Sequence, residues 1–510
     1  MLVAVLLTLA STGCGPSGRH TADPAGTPKP GGTLRLAVLD DPVSLDPFSA
    51  SNYAVAYGNL LSAIYDPLLW TDPVTGTVKP HLAQSFTPDN AARVWSLVLR
   101  PGVLFSDGTP FDAAAVKANW QIHADPSSGS GYTVGATNLK LTVKSPLLLT
   151  VELPSPNANF DQTVANSLAY VASPRTLGDP SSLRTRPVGA GPFVLAERSA
   201  GKSLTLRKNP RYWQPGRPYL DEIDVRVTPR ATNVADAIAA DRLDLAAISD
   251  PLSGKAAQDE HLGLVRLNLN GGLMIVFNTR RPPFDDPAAR RAVVNSLDSQ
   301  EMNRLLYDNA GTPARGVFDA TTELANIQLS AAENQPEQAR AAFLKLTAGG
   351  TRPFTFTHMV AGAPGSANRT ALYVQGRIQQ YPNVHMKIDP VDTATLIRRL
   401  VAGDFDMAVS GLWMNDPEPV LYDFLRPGSP TNVSGYSNPE VVDAMTRARL
   451  ATAPGVRREA YTHVQLQLNK DLPFWVYQEA ANAVAFAPRV TGVQAYNDGV
   501  VLFDRLGFGS

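Results

Sequence analysis

Side chains able to do chemistry are few in this chain and widely scattered. The seven histidines are His20, His81, His123, His261, His358, His385 and His463. No two stand four residues apart and no HExxH occurs, so no helix face offers the paired imidazoles of a zinc hydrolase. Cysteine occurs once, at Cys14, which excludes an intramolecular disulfide and a zinc site built on two or more thiolates. Neither a GxSxG nucleophile elbow nor a GxxxxGKS/T phosphate loop is present. The carboxylate pairs Asp40-Asp41 and Asp285-Asp286 could be an acid and a base. Adjacent residues on a strand point to opposite faces, however, and in turns such residues cap backbone N–H groups. Arg290-Arg291 offers an anion site or a solvated helix face. Binding, and not turnover, is the chemistry this inventory suits.

Composition agrees. The chain has 510 residues, is 44% apolar and carries a net charge of −1; it is long enough for two or three cored domains and has no basic excess to hold nucleic acid. Its first apolar run, Leu2 to Ala10, is shorter than the ~20 residues of a membrane span and fits the core of a secretory signal. Pro16, Gly18, Pro24, Gly26, Pro28, Pro30, Gly31 and Gly32 then mark a flexible tether. Ser11-Thr12-Gly13-Cys14 resembles a bacterial lipobox, which implies cleavage before Cys14 and lipid on its sulfur. Residues 1–13 are thus expected to be a signal peptide and 14–30 a tether, with the rest outside the cytoplasm.

Elements that would position a site are legible further on. Leu34, Leu36 and Val38 alternate with polar or small neighbours, as do Trp95, Leu97 and Leu99, so each run predicts a strand with one buried face. LKLTV and LLLTVELP predict a hairpin turning at Ser145-Pro146. EIDVRVTP, NVADAIAADR and LDLAAI predict a parallel strand–helix–strand unit between Glu222 and Ile248. After residue 350 a second alternating series begins with PFTFTH. A helix with Ala371, Val374 and Ile378 on one face comes next, then the strand VHMKI. Asp392 should cap the following helix, which bears Leu396, Ile397 and Leu400 and stops at Gly403; DFDMAVS is the last strand. Ligands of such sheets bind beyond the carboxyl ends of the strands. The Gly411–Pro417 segment after DFDMAVS is read as a loop there, with Trp413, Met414 and Asn415 as ligand-binding candidates, or as residues packed beneath it.

Several blocks together resemble the family 5 extracellular solute-binding proteins, the dipeptide-, oligopeptide- and nickel-binding group that feeds ABC importers. They are VKPHLAQSF (78 to 86), VWSLVLRPGVLFSDGTPFDAAAVKANW (94 to 120), PVGAGPFVL (187 to 195) and LTLRKNPRYWQPGRPYLDEI (204 to 223). FNTRRPPFDDPAARRAV (277 to 293), GYSNPEV (435 to 441) and DLPFWVY (471 to 477) follow in the family's order. The resemblance implies an α/β, periplasmic-binding-protein-like fold of type II. Lobe I would comprise 31–55, 185–270 and 480–510, with a subdomain at 56–184. Lobe II would be 271–479, joined to lobe I by two crossing strands near GLMIVFN and FWVYQEAANAVAF.

A peptide or other small solute would be enclosed between the lobes by hinge closure and passed to permease and ATPase subunits. The implied protein is a monomer, lipid-anchored to the outer face of the membrane or periplasmic, with no cofactor, no metal and no catalysis. Peptide-binding members hold the ligand's α-amine with an acidic residue three positions before the one Asp416 matches. Trp413 stands there instead, leaving a buried ammonium without a counter-charge and offering a surface for stacking on a planar, apolar or cationic solute. Asn52 and Tyr53 face the cleft in the family's layout. An exported hydrolase, or a signalling receptor, of the same architecture is the alternative reading.

Overall fold

A computed structural model of the chain describes residues 26–39, 44–48, 57–228, 233–362 and 368–509. Cys14, Asn52, Tyr53 and the Asp40-Asp41 pair lie outside the described residues.

Three sheets organise the molecule. The first has seven strands and is assembled from distant parts of the chain: Thr33–Val38 lies at its middle, parallel to Glu222–Val227 on one side and Leu245–Ile248 on the other. The strand–helix–strand unit read from the sequence is therefore present, with the Thr33–Val38 strand inserted between its two strands. Alternation explains the register: Leu34, Leu36 and Val38 are buried, as are Ile223 and Val225 beside them. Each such aliphatic side chain contributes roughly 1.5–3 kcal/mol by leaving water. Phe193–Ser199, Ser203–Lys208, Gly263–Arg266 and Ala483–Phe486 complete the sheet.

A four-stranded antiparallel sheet holds Ala83–Pro88, Val94–Leu99, Lys140–Ser145 and Leu148–Glu152, the last two forming the hairpin expected at Ser145-Pro146. Trp95, Leu97 and Leu99 point into its core with Phe160 and Val164. This unit is locked to the seven-stranded lobe. Buried Asp66 accepts from Tyr212 Oη at 2.9 Å and Trp213 Nε1 at 3.3 Å and pairs with His81 Nε2 at 2.9 Å. Gly189 and Gly191 press so closely on the backbone of Ile64 and Tyr65 that a Cβ there would lie 2.2–2.5 Å from a carbonyl oxygen.

The five-stranded sheet runs, edge to edge, Val384–Val391, Phe354–Ala361, Met407–Met414, Asn270–Phe277 and Phe474–Glu479. Both faces are covered at its middle, so the Asn270–Phe277 strand is buried on both sides. Met274 and Val276 face one core, under the Pro439–Leu450 and Pro454–Asp471 helices; Ile275 and Phe277 face another, under Pro287–Asn295 and Arg369–Ile378. Asp392 caps the Thr393–Ala402 helix through Thr395 N at 2.9 Å, and Gly403 ends it at φ +67°.

Three readings of the sequence are corrected. The strand expected as DFDMAVS continues to Met414, so Trp413 and Met414 sit on a strand and not on the loop after it. Ile397 is exposed, because only Leu396 and Leu400, one helical turn apart, face the sheet. Arg290 is buried and not solvated: it donates to Phe284 O at 2.7 Å and to Asp471 O at 2.8 Å, a carbonyl at the end of the Pro454–Asp471 helix.

The chain passes between the two large sheets twice, from Gly263–Arg266 to Asn270–Phe277 and back from Phe474–Glu479 to Ala483–Phe486. The crossings run side by side, with Leu267 N bonded to Asn482 O at 3.0 Å. Gly272, at φ +139°, lies where a Cβ would be 2.0 Å from Gln478 O; only glycine fits. No helix among the described residues is long and apolar enough to cross a membrane.

Candidate functional site

The Met407–Met414 strand ends against Asn270–Phe277, with Trp413 opposite Gly271 and Met414 opposite Asn270. Successive residues alternate faces. Met414 is buried in the lobe's own core with Phe424 and Leu425, whereas half-buried Trp413 packs against the core of the seven-stranded lobe. Its indole folds back over Gly411, whose missing Cβ makes the space: an added Cβ would lie 2.1 Å from Trp413 Cη2.

Around this strand end lies a cavity of about 370 Å³ with walls from all three units. The five-stranded lobe supplies Ser410 to Asp416, the four-stranded unit Tyr132 and Asn166, and the seven-stranded lobe Leu269, Asn497 and Asp498. Sequence reasoning placed Trp413, Met414 and Asn415 here, and the structure brings them together on this wall. It missed the opposite walls. Asn497-Asp498-Gly499 signals a turn, but nothing local says that this turn meets Trp413.

Two side-chain oxygens in the lining are conspicuous. Asn415 Oδ1 and Asn497 Oδ1 are both buried and lack a hydrogen-bond partner among the described residues. One comes from each large lobe. A buried acceptor without a donor costs about 1–3 kcal/mol, so each is a place for a ligand N–H.

The acids of the lining are already engaged. Asp416 takes the guanidinium of Arg457 on both oxygens, Oδ2 at 2.6 Å, and Oδ1 also accepts from Glu418 N at 2.8 Å. Burial acts to lower the Arg457 pKa, yet Asp416 holds it above the usual value. Asp423 pairs with Arg426 at 3.3 Å, and burial nonetheless raises its carboxyl. No group of three or more His, Cys, Asp or Glu among the described residues is placed to hold a metal ion. The cleft continues as a second cavity of about 280 Å³, which shares Gly135, Pro419 and Asp423 with the first and adds Phe160, Tyr422 and Arg449. A ligand longer than the first cavity has room to run on.

Comparison with known proteins gives a consistent picture. Residues 77–432 match the family model described as bacterial extracellular solute-binding proteins, family 5 Middle. The chain is 29% identical over 288 residues to the glutathione-binding protein GsiB of Salmonella paratyphi A, a match covering 55% of either chain. To the peptide transport periplasmic protein SapA of Salmonella typhimurium it is 26% identical over 475 residues, 85% of this chain and 84% of that one. Among solved structures, the dipeptide-binding protein from Pseudoalteromonas sp. SM9913 in complex with Met-Leu superposes with a TM-score of 0.81 at 22% identity, over 94% of this chain and all of that one. The likeness establishes the two-lobed α/β fold of periplasmic binding proteins, as the sequence blocks implied. By the extent of the family match, the chain belongs to the bacterial extracellular solute-binding proteins of family 5, the solute-capturing components of ABC importers.

Proposed function

We propose that this protein captures a small peptide or peptide-like solute in the cavity at the end of the Met407–Met414 strand and delivers it to a membrane permease. The observation that carries the reading is the pair of buried, unpartnered amide oxygens, Asn415 Oδ1 and Asn497 Oδ1, one on each lobe of a cavity of about 370 Å³. A peptide presents N–H donors along its length, and the volume lies in the range of small-molecule sites. Trp413 lines the same cavity with an apolar face. The glutathione and peptide named for the relatives support the same ligand class. Because the walls belong to different lobes, a solute that touches both favours the closed arrangement, and closure follows from that differential affinity. Cys14 is the proposed lipid anchor, holding the protein beside its permease. Asn52 and Tyr53 remain proposed contacts at the cleft.

The test is mass spectrometry of the small molecules released from native protein on denaturation, followed by calorimetry with the compound found. A peptide or peptide amide returned chemically unchanged is the expected result; a solute without N–H donors, or a product of turnover, would overturn the reading. The anchor is tested by metabolic labelling with a radioactive fatty acid. Label should enter the wild-type chain and be absent from Cys14→Ala.

A further inference from the structure

The four-stranded unit is fastened to the seven-stranded lobe through Asp66, Tyr212 and Trp213. Yet it also touches the five-stranded lobe, at a few points across the mouth of the cleft. Asn157, buried and anchored by Trp95 Nε1 on its carbonyl at 3.2 Å, donates through Nδ2 to Glu418 Oε1 at 3.0 Å. Thr163 Oγ1 reaches the same oxygen at 3.4 Å. Ala158 N donates to Arg449 O at 2.7 Å, and Asn159 Nδ2 lies 3.4 Å from Ala448 O. Ala448 O also accepts from Ala451 N at the helix's own end, but Arg449 O, in the last turn of the Pro439–Leu450 helix, takes its backbone donor from the opposite side of the cleft.

Glu418 itself sits in the short loop after the Met407–Met414 strand. Its other oxygen lies 3.0 Å from Arg449 Nε, and Arg449 is stacked over Tyr422 at 4.0 Å. Beside it are Asp416 with Arg457, and Asp423 with Arg426. From the facing unit, half-buried Asp161 adds a further carboxyl near Asp416 and Arg457. Pro419 and Asp423 line the solute cavity on one side and the cleft extension on the other, so this contact borders both.

We infer that Glu418 is a latch: its carboxyl, held by Arg449 on one lobe and received by Asn157 and Thr163 on the other, positions the two sides of the cleft in the closed state. The inference rests on the reading of the cavity as a solute site, but the contact is tested without solute. The reporter is the amide of Ala158, whose acceptor lies across the cleft. Hydrogen–deuterium exchange of the full-length, solute-free protein, followed by mass spectrometry, should show the peptide containing Ala158 exchanging at least tenfold faster in Glu418→Ala than in wild type. Glu418→Gln, which keeps the acceptor for Asn157, should stay within about twofold of wild type. Amides of the Val94–Leu99 strand, in the same unit but remote from the contact, should be unchanged in both. Equal exchange of Ala158 in Glu418→Ala and wild type would overturn the latch. So would equal acceleration in both variants, and so would faster exchange of the strand, which would assign Glu418 to folding. Failure to find a peptide-like solute would leave these rates as they are, so the two readings fall separately.

Discussion

Trp413 and Gly411 form one unit at the scale of the residue. Trp413→Ala should weaken solute binding at least tenfold by calorimetry, since it removes an apolar face from the cavity wall. Gly411→Ala should weaken it too without deleting any ring, because the new methyl occupies the space over which the indole lies. A different residue sets the acid limit of stability. His358 is fully buried on an inner strand with neither ring nitrogen bonded among the described residues, and burial lowers its pKa to about 3 from the ordinary 6.5. The native state then holds His358 neutral, while an unfolded chain takes up a proton below pH 6.5. The associated stability is fully present above that pH and is lost as pH falls toward 3, at up to ~1.4 kcal/mol per unit. Urea unfolding at pH 6.5 and pH 5 should show His358→Leu losing roughly 2 kcal/mol less than wild type over that interval.

The loop carrying Glu418 shows what an element adds to its residues. Burial pushes the Glu418 carboxyl up to about 7, against the pull of Arg449. Once the cleft opens and water reaches it, the carboxyl returns toward its ordinary 4.5. Closure therefore takes up a proton between these values; its benefit is complete below the lower one and is lost as pH rises through the upper. Solute affinity should rise roughly tenfold from pH 8 to pH 6, with proton uptake visible as a buffer-dependent heat of binding, and Glu418→Gln should flatten the profile. Removing the neighbouring Asp416 is a matter of folding: Asp416→Ala leaves Arg457 buried without its partner and should cost about 3–5 kcal/mol in denaturant titrations.

Elements of this kind were readable in part from the sequence. The Thr393–Ala402 helix announced both ends, through Asp392 and Gly403, because caps are local chemistry. The alternation at Leu34, Leu36 and Val38 announced a strand, because burial on one face imposes a period of two. Ile397 misled, since two adjacent apolar residues on a helix satisfy the same pattern and only the sheet beneath decides which turns inward. Glu418 and Asn157 stand 261 residues apart, and no local rule joins them. The same holds for Asn497 facing the cavity that Trp413 lines.

On the scale of the whole molecule, the cavity's walls come from all three units, so solute and stability are coupled through both lobes. At a hundredfold excess over Kd a bound solute adds about 2.7 kcal/mol. Calorimetric unfolding should therefore show every transition of the protein moving upward together; a shift confined to one would place the solute on a single lobe. The ends of the described chain meet on one side only. Lys29 N bonds to Phe508 O at 3.0 Å, and Thr491 Oγ1 bonds to Gly26 O at 2.6 Å, both on the seven-stranded lobe. Whatever holds the chain ahead of Gly26 thus holds that lobe, and through Asp66 the four-stranded unit with it. Under the proposed hinge closure the five-stranded lobe, which holds neither end of the described chain, is then the part that swings, like a jaw working against a fixed skull.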